Sequence, residues 1–160
     1  MKPILLATDG SPSAAEATRQ AISLADEAGA PLVAVAVQHV EVPAYGYYGY
    51  AQIYSDLSKI EHEHALNVLE ETAARADEAG VACQTVVADG PVVDEICRVA
   101  RERDAGLIVI GAHGWGTLRR LVFGSVSLGV LHEAPCPVLI ARGGAEVDAV
   151  EANGKVAAPA

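Results

Sequence analysis

The chain has 160 residues, a length that suits one domain able to bury a core without disulfide or metal staples. Apolar residues make up 51% but aromatic ones only 4%, so the core is built from Ala, Val, Ile and Leu, the usual filling of a helix-covered parallel sheet. A formal charge of −10 speaks against nucleic acid or an anionic membrane as partner, since both need a cationic footprint.

In chain order, the apolar runs and turn residues predict strand 3–8, helix 13–28, strand 32–38, helix 56–79, strand 82–88, helix 92–104, strand 107–111, helix 125–133 and strand 137–141. Ser13-Ala14-Ala15-Glu16 has the form of a capping box at the start of the first helix. The pentapeptide Ala-Asp-Glu-Ala-Gly occurs twice, at 25–29 and 76–80, each time as a helix end whose glycine suits the left-handed position. A β-branched run follows each copy, and Arg103-Asp104-Ala105-Gly106 before Leu107–Ile110 plays the same part a third time. Helix, glycine, apolar strand is the rhythm of right-handed βαβ crossovers. Ile4-Leu5-Leu6-Ala7 and Leu107-Ile108-Val109-Ile110 lack polar alternation and read as central strands covered on both faces. The expected fold is α/β: a single-domain, open, parallel five-stranded sheet with helices on both faces, Rossmann-like, over 1–142. Residues 143–160, rich in Gly, Ala and acidic groups, read as a disordered tail.

Cys83, Cys97 and Cys136 are odd in number and show no metal-type spacing, so reduced thiols are expected rather than a disulfide framework or zinc site. No basic N-terminal segment leads into a signal-type apolar run, and no stretch reaches the roughly 18 apolar residues of a membrane span. A cytoplasmic protein that avoids membranes and nucleic acid is the expectation.

In an open parallel sheet, ligands bind beyond the carboxyl ends of the strands where strand order reverses. Three segments leave the strands there: Ala7-Thr8-Asp9-Gly10-Ser11; Gln38-His39-Val40; and Gly111-Ala112-His113-Gly114, followed nine residues later by Gly124-Ser125. Glycines at 111 and 114 allow close backbone approach, and Gly124-Ser125 opens a helix whose first N–H groups and dipole favour an anion. Ser125 and Ser127 add hydroxyls for a phosphate or for a phosphate-bound metal. Two local glycine turns would read the same way without any ligand. The acidic excess lies in residues 1–110, whereas 111–142 hold Arg119, Arg120 and Arg142 against Glu133 alone.

Other features have two readings each. Asp9 is either a ligand-facing carboxylate or the turn residue of Asp9-Gly10-Ser11. His113 packs a loop or faces a ligand, and Arg119 and Arg120 either approach phosphates or form a solvated pair. All five tyrosines lie in 45–54, read as a pliable loop over adenine, against a partner, or packed on itself. His62 and His64 lie two apart on a helix, do not face one metal together, and read as a solvated face.

Gly111-x-x-Gly114, nine residues, Gly124-Ser125 resembles the nucleotide-binding signature of the universal stress protein family. Pro135-Cys136-Pro137-Val138-Leu139-Ile140 and Ile4-Leu5-Leu6-Ala7-Thr8-Asp9-Gly10-Ser11 resemble that family's closing and opening strands, so the likeness spans residues 2–142. It implies the adenine nucleotide alpha hydrolase-like fold and an ATP site, with ADP or another adenine nucleotide as alternatives and Mg²⁺ or Mn²⁺ on the phosphates. Position by position, it puts Asp9 near ribose or adenine and the Val40 backbone at the adenine edge. Gly111, His113 and Gly114 border ribose and phosphates, and Gly124, Ser125, Val126 and Ser127 hold the phosphate chain. Ala7, Thr8 and Ile110, at the strand ends, complete the expected set. The intact glycine pattern fits the ATP-binding branch, and the resemblance also implies a homodimer through edge strand 137–141. A stress-protective, nucleotide-responsive regulator is the leading reading. A nucleotide-free interaction module, or an enzyme limited to slow ATP hydrolysis or self-phosphorylation, is the alternative, because no Walker lysine or nucleophile elbow is present.

Overall fold

The computed structural model describes residues 1–39, 50–113 and 123–142. Its elements are β1 (Ile4–Ala7), α1 (Pro12–Ala28), β2 (Leu32–Gln38), α2 (Tyr50–Glu78), β3 (Cys83–Asp89), α3 (Val92–Glu102), β4 (Leu107–Gly111), α4 (Ser125–Glu133) and β5 (Val138–Ala141). The strands form one sheet in the order β3-β2-β1-β4-β5, with every neighbouring pair parallel. The chain thus builds outward from β1 on one side, then returns to add β4 and β5 on the other. Ala7 is level with Val35 in β2 and with Ile110 in β4, so β1 and β4 end at nearly one height beside the reversal while β2 runs on to Gln38.

All four residues of β1 are buried, because successive side chains enter two separate cores. Ile4 and Leu6 join Leu32, Ala34 and Val109 under α1 and α2, while Leu5 and Ala7 join Val33, Val35, Ile108 and Ile110 under α3 and α4. Helix α1 offers Ala14, Ala17, Ala21 and Ala25 at three- and four-residue spacing. So narrow a stripe lets the helix lie close over the sheet. Among the described residues, no helix is long and apolar enough to cross a membrane.

The local signals needed three corrections. Ser11, not Ser13, caps α1: its side chain accepts from the Ala14 N–H at 3.2 Å, and Pro12 takes the first helical position. Glu16, offered by the capping-box reading, instead accepts from Gln20 at 2.7 Å and from Arg19, whose guanidinium lowers its pKa to about 2. Gly29 and Gly80 do take left-handed conformations, at φ +61° and +73°. In the third helix–strand joint that role falls to Asp104, at φ +48°, and Gly106 is there for another reason. A Cβ on Gly106 would lie 3.0 Å from Lys2 Cβ, and its N–H donates to the Pro3 carbonyl at 2.9 Å. Finally, α2 starts at Tyr50 instead of 56, since nothing from 50 to 55 is a glycine or proline that would stop it. The helical part of the tyrosine-rich stretch is therefore not a loop; residues 45–49 and the expected tail 143–160 lie outside the described residues.

Ser11 is fully buried beneath the start of α1. Replacing it with Ala should cost about 1 kcal/mol in urea denaturation, by removal of the cap, with helix content unchanged.

Candidate functional site

Because β2 and β4 flank β1 and their chains leave in opposite directions, the carboxyl ends of these strands part and a crevice opens between them. A cavity of about 540 Å³ occupies it. Its base is formed by Ala7, Val35, Ile110 and Gly111, and one wall by Val37 of β2 with Val92 and Ile96 of α3. Phe123, Gly124, Ser125, Val126 and Ser127, at the start of α4, form a further part of the lining, and Thr8, Asp9, Ala14, Ala112 and His113 complete it.

Ten of the residues expected from sequence therefore border one cavity: Ala7, Thr8, Asp9, Ile110, Gly111, His113, Gly124, Ser125, Val126 and Ser127. Val40 and Gly114, like Arg119 and Arg120, lie outside the described residues. The apolar wall is the part that sequence reasoning missed. Its signal was present, since Val35 and Val37 alternate onto the α3 face of β2, and Val92 and Ile96 are one helical turn apart.

Several polar groups at the site are held by local contacts. The Ser11 N–H donates to Asp9 Oδ1 at 3.0 Å, so Asp9 is a turn-former and a cavity-lining carboxylate at once. The His113 N–H donates to Ser13 Oγ at 3.4 Å, which ties the β4 exit to the first turn of α1. Ser127 is 2% exposed; its hydroxyl lies 3.1 Å from the Ala112 carbonyl and 2.9 Å from that of Gly124, with its proton directed to these acceptors. The Gly124 N–H donates to the same Ala112 carbonyl at 2.7 Å. Helix α4 is thus anchored to the end of β4, with the N–H groups of its first turn left over by helix geometry. Ser125, by contrast, is exposed.

The glycines act differently from one another. A Cβ on Gly111 would stand 2.8 Å from Ser13 C and 2.9 Å from Ser13 O. Its smallness admits the backbone of α1. Gly124 meets a milder limit, with its imagined Cβ 3.3 Å from the Ala112 carbonyl oxygen.

Among the described residues that line the cavity, Asp9 is the only acid. On the far side, the Arg142 guanidinium stacks over Phe123 at 4.8 Å from the ring centre, placing a cation beside the start of α4. Burial raises the pKa of all three thiols, Cys83, Cys97 and Cys136, and none of them lines the cavity. No group of three or more His, Cys, Asp or Glu side chains placed to hold a metal occurs among the described residues.

Fold and cavity together define a doubly wound α/β protein with its cleft at the switch point. Residues 1–142 match the model of the Universal stress protein family, and the chain belongs to that family. It is 35% identical over 145 residues to universal stress protein MJ0531 of Methanocaldococcus jannaschii, a match covering 88% of this chain and 82% of that one. Among solved structures, universal stress protein UspA from Lactobacillus plantarum superposes with a TM-score of 0.80 at 26% identity, over 88% of this chain and 97% of the other. A universal stress protein solved in complex with cAMP superposes with a TM-score of 0.65 at 26% identity, over 87% and 95% of the two chains.

The Gly111 contact is backbone against backbone, so neither side can yield by rotating a side chain. Gly111→Ala should lose about 2 kcal/mol in chemical denaturation, as overpacked interiors do.

Proposed function

We propose that the cavity binds ATP and that occupancy regulates a dimer of this protein in the cytoplasm, in a stress-protective role. The observation that carries the reading is one cavity whose lining combines two kinds of chemistry. Val35, Val37, Val92 and Ile96 make an apolar slot suited to a purine, whereas Gly124–Ser127 offer the first turn of a helix, the ordinary receptor for phosphate. Asp9, on the same lining, offers a carboxylate to a ribose hydroxyl. A volume of about 540 Å³ is in the usual range for a nucleotide-sized ligand. The family resemblance adds the Val40 backbone at the adenine edge and Gly114 at the phosphates, and the relative solved with cAMP supports an adenine nucleotide as the ligand class.

The acidic chain hosts a triphosphate by using neutral amides, with Asp9 the single acid among the described lining residues. A phosphate-bound Mg²⁺ or Mn²⁺ would take a protein oxygen from Ser125, whose hydroxyl is exposed, while the Ser127 hydroxyl is engaged with main-chain carbonyls. Such an ion would offset phosphate charge. Binding is the function, and any hydrolysis or self-phosphorylation is slow. β5 is an outer strand of the sheet, and its outer row of main-chain donors and acceptors suits antiparallel pairing with a second copy.

Ser125→Asp separates ligand effects from folding effects. An acid at the first position of α4 should stabilise the helix by about 0.5 kcal/mol, yet calorimetric titration should show ATP binding weakened more than about tenfold, through charge repulsion at low dielectric. Native protein that releases no adenine nucleotide on denaturation and ignores added ATP overturns the reading. For the dimer, light scattering should give twice the monomer mass, and a single-chain mass at high concentration, with and without ATP and Mg²⁺, contradicts it.

A further inference from the structure

We infer that His62 and His64 of α2 are positioning residues for the adenosine end of the cleft, an inference that rests on the nucleotide-binding reading above. Neither histidine lines the main cavity. Both nevertheless reach a strand exit, and the β1 exit lines the cavity through Thr8 and Asp9. His64 Nε2 is 3.1 Å from the Asp9 carbonyl oxygen, an acceptor only, so the ring donates to the loop that follows β1. His62 Nδ1 is 3.0 Å from Gln38 Oε1, at the last residue of β2 and immediately before His39-Val40. Two helix positions two apart point about 200° away from each other. That separation prevents the two from sharing a metal, and here it sends one ring to each strand exit.

The β1 exit is thin and is held from both sides. Gly10 stands at φ +75°, and a Cβ there would lie 2.7 Å from Val68 Cγ2 and 3.8 Å from His64 Cε1. Thr8 and Asp9 line the main cavity on one side and, on the other, a smaller cleft of about 350 Å³ walled by Ile60, His64, Ala65 and Val68 of α2. The loop is a partition with the nucleotide cleft on one side and α2 on the other. Opposite His64, the Ser11 N–H closes the turn on Asp9 Oδ1 at 3.0 Å. The Asp9 carboxylate is therefore aimed by a turn whose main-chain carbonyl is fixed from α2. The Gln38 carbonyl is bonded by the Gly90 N–H at 3.2 Å, so His62 adds a side-chain hold to an exit whose backbone is already pinned. His64 is consequently the stronger of the two.

Both bonds are exposed, so the effect is graded. His64→Ala should weaken ATP and adenosine by the same factor, about three- to tenfold, and His62→Ala by about twofold. Because the lost hold is at the adenosine end, the ratio of the two ligands' affinities should stay at its wild-type value, whereas Ser125→Asp weakens ATP alone. His64→Gln, whose amide N–H replaces Nε2–H, should restore affinity to within about twofold, and a general loss of packing would not be rescued this way. Hydrogen exchange on the ligand-free protein gives the independent readout. The Ser11 amide should exchange several-fold faster in His64→Ala, while that of Thr18, further along α1, does not change. Unchanged exchange at Ser11 overturns the inference, as does faster exchange with wild-type affinity for both ligands. If the wild-type protein binds neither ligand, the nucleotide reading fails by itself, and exchange at Ser11 still decides whether α2 positions the loop.

Discussion

Much of this molecule follows from one close approach, that of Gly111 at the end of β4 to the backbone of Ser13 and Ala14 at the start of α1. Contact at that range is possible only without a Cβ, and it fixes where α1 begins relative to the two central strands. Once it is fixed, the Ser13 hydroxyl accepts from the His113 amide, Ser11 caps the helix, and Asp9 is turned toward the crevice. A glycine that reads in the sequence as room for a ligand is thus first a condition for assembling the walls around it. Both descriptions hold, because the space beside Gly111 exists only after α1 has been seated.

The opposite wall is organised by another economy of donors and acceptors. The Ala112 carbonyl accepts from the Gly124 amide and faces the Ser127 hydroxyl, so the residues on either side of residues 113–123 are joined through one oxygen. That arrangement directs the first turn of α4 at the crevice. Without it, the helix dipole would have no defined target. A strongly acidic protein gains an anion-tolerant region here by two means: Asp9 is the only acid among the described lining residues, and Arg142 is held nearby by the face of Phe123.

What could be read in the sequence depended on how local each cause was. The strands were legible because buried runs such as Leu5-Leu6 and Ile108-Val109 admit little else, and the two repeated pentapeptides marked two of the helix ends. The phosphate-end candidates were legible for a similar reason, since Gly111, Gly124 and the serines after it form a spaced pattern within one stretch of chain. Errors arose where a nearby residue offered a second, equally regular pattern. Ser13 with Glu16 has the letters of a capping box, yet Pro12 is better placed as a first helical residue, which moves the cap to Ser11. Gly106 follows a helix end as a left-handed glycine would, but its smallness accommodates Lys2, more than a hundred positions away.

The two ends of the crevice accordingly differ in how they can be inferred and in how they can change. The end at α4 is a continuous stretch of chain, so its character survives or fails with a few neighbouring letters. The other end is assembled from β1, β2, α3 and, through the partition at Asp9, α2. Its shape depends on contacts such as that between His64 and Asp9, which local sequence reads only as a histidine on a solvated helix. On the proposed reading, phosphate recognition is the part dictated by a motif, whereas affinity for the adenosine part that all adenine nucleotides share is set by packing between distant elements. Two members of one family can then share the glycine pattern while their α2 helices hold the β1 exit differently, and a difference between them in affinity for the adenosine part would have its cause outside the pattern itself.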